Sequence, residues 1–301
     1  MRLHGLLSFP LTPFTGSRLG EDKVDLSAFA AHVERQIGWG PSALFVACGT
    51  GEFTALSTEE FRQVVSTASE VAAGRLPIVA GCGGGPQIAR EFARHAAESG
   101  ASGLLLLPPY LVASTPAGLL RHITYVADAT DLPLVVYQRA NAVLDAETAV
   151  ALLDVPTVVG IKDGRGDVDG MLRLVTAVRT SGHPRALDFG FLNGLPTAEL
   201  SVQAYQAIGV DSYSSAVLCF APEIATAFYR AVSSGDSEVT QRLLKEFYLP
   251  FAALREKVPG YAVSLVKAGA GLGPVRPPLV DPTPEHVAEL QRIIAQGRAA
   301  L

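Results

Sequence analysis

The chain has 301 residues, 49% hydrophobic and 18% charged, with a formal net charge of −5. That length supports one large core, since single α/β barrels commonly run to about 250 residues. Mild acidity, with both signs dispersed and no Lys/Arg run, excludes a surface built for nucleic acid.

The apolar start MRLHGLLSFPLTPF is interrupted by Pro10 and Pro13, and no small-residue cleavage site follows, so it is not read as a signal peptide. LLLLPPYLVA at 104–113 is also broken by prolines and falls far short of a membrane span. Cys48, Cys82 and Cys219 are odd in number and form no C-x-x-C pair, which reads as reduced thiols in a cytoplasmic protein.

Eight β-like runs follow one another: LLSF (6–9), ALFVA (43–47), PIVAG (77–81), GLLLL (103–107), LVVY (134–137), VVGIK (158–162), ALDFGF (186–191) and VDSYSS (210–215). They are mostly continuous apolar runs rather than alternating ones, as expected of strands buried on both faces in a parallel sheet. Helical patterns separate them. At 56–74, Ser57 or Thr58 caps, Glu59 and Glu60 occupy the first turn, and Gly74 closes. At 115–130 a Thr-Pro start opens the next clear example. Eight strand–helix units in series predict a (βα)8 TIM barrel, with an open doubly wound sheet as the alternative. Residues 222–254, 258–272 and 284–299 read as helices without intervening strands. The expected organisation is a barrel over 1–221 and a C-terminal helical extension over 222–301, packed as one structural unit.

In such a barrel the C-terminal ends of the strands form the active face. Lys162, Tyr137, Cys48-Gly49-Thr50, Pro108-Pro109-Tyr110, Asn193 and Ser214-Ser215 all fall there. A lysine in apolar surroundings has its charged form disfavoured and becomes a nucleophile towards a carbonyl. The protonated Schiff base that results is an electron sink. Taken alone, however, Lys162 reads more readily as a structural ion pair with Asp163 or Asp167. Tyr137 reads equally as a proton relay or as a packed ring. The Gly-rich turn CGTGEF (48–53) offers backbone N–H groups and the Thr50 hydroxyl to an anion, with Glu52 as a structural partner of the loop.

Other chemistries find little support. GCGGGP (81–86) lacks the dinucleotide-loop spacing, the six histidines form no ligand cluster, and neither a P-loop nor G-x-S-x-G occurs. No cofactor or metal is expected.

GTGE (49–52), PPY (108–110), Tyr137 at a strand end, GIKD (160–163) and VSLVKAGAGLGPVRPPL (263–279) resemble the dihydrodipicolinate synthase / N-acetylneuraminate lyase family over nearly the whole chain. That resemblance implies a metal-free, usually tetrameric class I lyase. It implies Schiff-base chemistry at Lys162, catalytic help from Tyr137, a 2-oxo acid carboxylate on Gly49 and Thr50, and a tyrosine, Tyr110, lent across a dimer interface in some members. It reverses the order of the two readings of Lys162. VACGTGEF, YQRANAVL, GIKDGRGD, GLPTAEL and DSYSSAVLCFAPE resemble the 5-dehydro-4-deoxyglucarate dehydratase branch. Gln138 and Ala142 stand where the synthase pattern has asparagine and arginine. Arg139 and Asn141 are then expected to bind the far end of a hydroxylated diacid, and Asn193, Ser214 and Ser215 its hydroxyls or distal carboxylate.

The expected partner is therefore a small 2-oxo sugar acid, with neither nucleic acid nor membrane, and a dimer or tetramer of like subunits. A sister pyruvate-dependent aldolase, a non-catalytic carboxylate-binding barrel and a phosphate-binding barrel enzyme remain open readings.

Overall fold

The computed structural model describes residues 2–16, 22–109, 111–139 and 141–301. Eight parallel strands close into a barrel: β1 Leu6–Ser8, β2 Leu44–Val46, β3 Ile78–Cys82, β4 Gly103–Leu106, β5 Leu134–Gln138, β6 Val158–Asp163, β7 Gly190–Asn193 and β8 Ser212–Ser215. Each hydrogen-bonds to its sequence neighbours, and β8 returns to β1 through Leu6, Leu7 and Ser8. The expected run 186–191 is displaced. Ala186 to Phe189 form a turn held by Phe189 N–H donating to Arg185 O at 3.0 Å, so the strand begins only at Gly190.

Helices α1 Leu26–Gly38, α2 Thr58–Ala72, α3 Pro86–Glu98, α4 Pro116–Ala127, α5 Ala146–Ala151, α6 Val168–Thr180, α7 Val202–Ala207 and α8 Pro222–Ser234 follow the strands in turn. The start of α2 is a capping box. Ser57 Oγ accepts from Glu60 N–H at 3.2 Å while the Glu60 carboxylate accepts from Ser57 N–H at 2.9 Å. Two orphan donors are thereby satisfied.

The expected single helix 222–254 is interrupted, because Gly235 turns left-handed (φ 74°) and Asp236 caps a new helix. The remainder is α9 Ser237–Leu243, a π-helical turn at Leu244–Tyr248, α10 Leu249–Glu256, α11 Tyr261–Ala270 and α12 Pro284–Ala299. Phe228, Phe247, Leu265 and Ile293 from these helices share one apolar cluster with Leu6 of β1 and Tyr213 of β8. None of the described helices is long and apolar enough to cross a membrane.

Strand parity answers why an apolar run ends in lysine. Leu7, Phe45, Val79, Leu105, Val135 and Leu192, one from each of six strands, pack with Tyr137 inside the barrel. Leu104, Leu106, Leu134, Val136, Val158 and Ile161 face the helices instead. Between β5 and β6 the register slips by one residue: Leu134 pairs with Val158, but Val135 pairs with Gly160 and Tyr137 with Lys162. The extra residue, Val159, restores a phase in which Ile161 points outward and Lys162 inward. A slip of one residue moves every side chain to the opposite face. Without that bulge, Lys162 would lie among the helices.

Candidate active site

Lys162 is 6% exposed, and its ammonium lies 3.8 Å from the ring centre of Phe9 and 4.6 Å from that of Tyr137. Its stem lies across Gly194, where a β-carbon would come within 2.1 Å of Lys162 Cε. Burial drives its pKa from 10.5 down to about 7, and the Arg139 guanidinium pushes the same way. Cys48 is close enough to oppose this as a thiolate, but burial raises its own pKa to about 12, so at neutral pH it carries no charge. The aromatic faces favour the ammonium by about 0.5–2 kcal/mol. The shift itself is worth roughly 5 kcal/mol, so desolvation wins. The unprotonated fraction at pH 7 is raised roughly a thousandfold over an ordinary lysine.

The ion-pair reading fails on direction. Asp163, one residue on, faces outward, where it accepts hydrogen bonds from Gln138 Nε2 at 2.8 Å, from Tyr205 Oη, and from the amides of Arg165 and Gly166 at 3.2 Å. Asp167 caps α6 by accepting from Gly170 N–H. Among the described residues, no carboxylate pairs with Lys162.

Tyr137 is paired with Lys162 across β5 and β6, and its ring lies on Gly164, where a β-carbon would approach the phenol oxygen to 2.7 Å. The phenol donates a long hydrogen bond, 3.5 Å, to Gly194 O, with Arg139 beside it. Burial raises its pKa, opposed by that guanidinium, so the phenol is protonated at neutral pH.

The turn after β2 closes through Glu52 N–H donating to Gly49 O at 3.2 Å and Phe53 N–H to Cys48 O at 3.1 Å. The amides of Gly49 and Thr50 find no acceptor among the described residues, so they remain available to an anion. Glu52, left-handed at φ 56°, is locked from behind: its buried carboxylate accepts from Lys267 Nζ at 2.6 Å and from Arg276 N–H at 2.9 Å. Arg276 also grips both oxygens of Glu60 at 2.6–2.8 Å. The C-terminal tail thus clamps the Gly-rich turn after β2, the structural role expected of Glu52.

Removing one partner of a buried pair leaves an uncompensated charge. Glu52→Ala is expected to lower unfolding free energy by about 3–5 kcal/mol, and adding Lys267→Met to recover most of that loss. Denaturant unfolding measures both, and a cost below about 1 kcal/mol for Glu52→Ala would remove the pair from this account.

These groups line one cavity of about 310 Å³ that contains Gly49, Thr50, Tyr137, Arg139, Lys162 and Ser214. Three expected contacts turn away from it. Asn193 donates to Ala198 O at 3.2 Å and Ser201 Oγ at 2.9 Å, tying down the loop after β7. Ser215 donates to the buried Glu199 carboxylate, and Asn141 donates to Pro109 O at 2.8 Å and Val112 O at 2.9 Å. Tyr110 lies outside the described residues. Phe9, Thr197, Phe251 and Arg255 line the cavity without having been anticipated. Phe9 ends the first β-like run and is reachable by the same strand-end logic, whereas Phe251 and Arg255 come from α10 and carry no local signal. Among the described residues no group of metal-ligating side chains is assembled.

An inward lysine, about half unprotonated at neutral pH, beside a phenol and a turn with free backbone amides, at the C-terminal mouth of a closed barrel, defines a class I, Schiff-base type of site. The chain belongs to the dihydrodipicolinate synthetase family, whose model matches residues 2–297. A Streptomyces griseus subsp. griseus relative, described as a probable 5-dehydro-4-deoxyglucarate dehydratase, is 53% identical over 99% of this chain and 92% of its own. A Rhizobium rhizogenes relative of the same description is 44% identical over 98% and 96%. Among solved structures, dihydrodipicolinate synthase from Oceanobacillus iheyensis superposes with a TM-score of 0.88 at 25% identity, covering 99% of this chain and 97% of that one. The Thermotoga maritima enzyme gives 0.85 at 26%, with both chains fully covered.

Proposed function

We propose that this protein is a Schiff-base lyase that dehydrates and decarboxylates 5-dehydro-4-deoxy-D-glucarate to 2,5-dioxopentanoate, water and CO2. The observation that carries the reading is Lys162, desolvated to a pKa of about 7 and held over the Tyr137 ring inside the barrel mouth. The dehydratase descriptions of relatives at 44–53% identity supply the substrate.

In this reading the carboxylate next to the ketone rests on the amides of Gly49 and Thr50, and the Lys162 amine attacks the ketone carbon. Loss of water from the carbinolamine gives the iminium, which acidifies the C4 hydrogens. A C4 proton leaves, and the enamine expels the C3 hydroxyl, which takes a proton relayed by Tyr137 and departs as water. The iminium is now conjugated with the C3–C4 double bond. The C1–C2 bond breaks, its electron pair flows into that conjugated system, and C1 leaves as CO2. Reprotonation and hydrolysis release the product and restore the amine. No cofactor is needed, because the Schiff base is the electron sink. Ser214, whose hydroxyl makes only a 3.4 Å bond to Asn193 O, is free to contact a substrate hydroxyl.

Self-association into a dimer or tetramer is part of the same reading. It is supported by the exposed apolar pair Leu111 and Val112 beside position 110. A cytoplasmic setting is supported by three free, buried thiols.

Incubation with the purified diacid is expected to release one CO2 per 2,5-dioxopentanoate formed, with no pyruvate. Pyruvate without CO2 would move the protein to the sister aldolases. Binding without any carbonyl chemistry would make it a carboxylate sensor.

A further inference from the structure

The charged side chains lining the cavity are Lys162, Arg139 and Arg255, and no described carboxylate lines it with them. Lys162 is about half unprotonated at neutral pH and is consumed by the ketone, so two guanidiniums remain to meet a dicarboxylate. Clefts lined by one sign of charge select ligands of the other. The two arginines occupy different ends. Arg139 is close enough to the Tyr137 phenol and the Lys162 amine to perturb both, which places it at the ketone end. Arg255 does not perturb Lys162. It sits on α10, on a wall otherwise made of Phe251, Ala262, Val263 and Val266.

The Arg255 side chain is only 13% exposed, and Nη1 donates to Thr197 Oγ1. Thr197 is itself buried and left-handed (φ 54°) in the loop after β7. That anchor fixes the plane of the guanidinium, while Nη2 donates at 2.7 Å to Glu256, whose side chain is 69% exposed. An ion pair on the water side is weak and easily exchanged. Glu199 is the other acid within electrostatic reach of Arg255. Burial raises its pKa to about 7, so that it is only about half ionised at neutral pH, and Ser215 occupies one of its oxygens, so it cancels only part of the arginine's charge.

We propose that Arg255, braced by Thr197, reads the distal carboxylate of the substrate and sets the preference for a six-carbon 2-oxo diacid over a monoacid. This rests on the Schiff-base reading of Lys162 and adds to it the residue that measures the far end. The carboxylate beside the ketone lies on Gly49 and Thr50, the ketone meets Lys162, and the extended diacid runs towards α10. A planar guanidinium holds a carboxylate through two parallel N–H bonds, a geometry that an ammonium does not reproduce.

The test uses two inert 2-oxo acids that differ only at that end, 2-oxoadipate and 2-oxohexanoate. The readout is the concentration giving half-maximal borohydride tethering to Lys162. For the unaltered protein the diacid is expected to tether at about 10–100-fold lower concentration, in line with a charge-assisted contact. In Arg255→Met the two concentrations should become equal through a rise for the diacid alone. Thr197→Val should give an intermediate ratio.

Unchanged tethering of 2-oxohexanoate in Arg255→Met reports an intact fold and lysine. A diacid preference that survives in Arg255→Met overturns the assignment, as does equal weakening of both acids, which is the mark of a merely structural arginine. Failure of the unaltered protein to tether either acid overturns the Schiff-base reading instead.

Discussion

Lys162→Met is expected to abolish turnover and borohydride tethering while making the fold more stable. No other side chain lining the cavity carries an amine, so without Lys162 there is neither an iminium nor an electron sink. The stability gain follows from the pKa. Lys162 is held at about 7 in the folded chain against 10.5 when unfolded. A base whose folded pKa is depressed makes folding less favourable as pH falls through that interval, and the full cost is present below about 7. At pH 6 that cost is roughly 5 kcal/mol, from 1.36 kcal/mol per pKa unit. Methionine fills similar space with no charge to desolvate, so a melting temperature higher by roughly 10 °C is expected at pH 6. The gain should shrink towards zero above pH 10. Thermal unfolding of both proteins at pH 6 and pH 10 measures this. A variant destabilised at pH 6 would mean that the lysine charge is compensated in the fold, the structural ion-pair reading that the outward-facing Asp163 argues against.

How far the site was legible in the chain depends on the kind of information each residue needed. The barrel is written in a recurring local signal, eight apolar runs each followed by an amphipathic segment, and the observed strands follow those runs. Lys162, Tyr137 and the Gly49-Thr50 turn stand at run ends, where a closed parallel barrel gathers side chains whatever the details of packing. The strand-end rule does not say which way a side chain points. Asn193 follows the inward Leu192 and so faces out, and Ser215 follows the cavity-lining Ser214 and does the same. Applying the two-residue period beyond the apolar runs would have separated Ser214 from Ser215 in advance. For Lys162 itself, parity counted from the helix-facing Val158 gives the wrong, outward direction, since the intervening bulge resets the phase. Arg255 was out of reach for a different reason. Its place in the cavity depends on α10 folding back over the barrel mouth, and its anchor, Thr197, lies 58 residues earlier in the chain.

Tyr137→Phe separates positioning from proton transfer, because the ring keeps its seat on Gly164 and only the hydroxyl is lost. The fold and the Lys162 environment should persist, so borohydride tethering of a 2-oxo acid is retained. Turnover of the diacid should fall about 10²–10⁴-fold, the usual worth of a positioned acid or base. The pH profile distinguishes this from a general loss of packing. In the unaltered enzyme kcat/KM is expected to rise through about pH 7 as Lys162 loses its proton. It should fall again only in strong alkali, where the phenol, whose pKa burial raises, ionises and can no longer donate. In the variant the limb near pH 7 should remain and the alkaline limb should disappear. A variant that keeps nearly full turnover would assign the proton relay elsewhere, with the Arg139-flanked phenol reduced to a wall of the cavity. A lost acid limb would mean instead that the hydroxyl, and not the ring alone, maintains the surroundings that depress the amine's pKa.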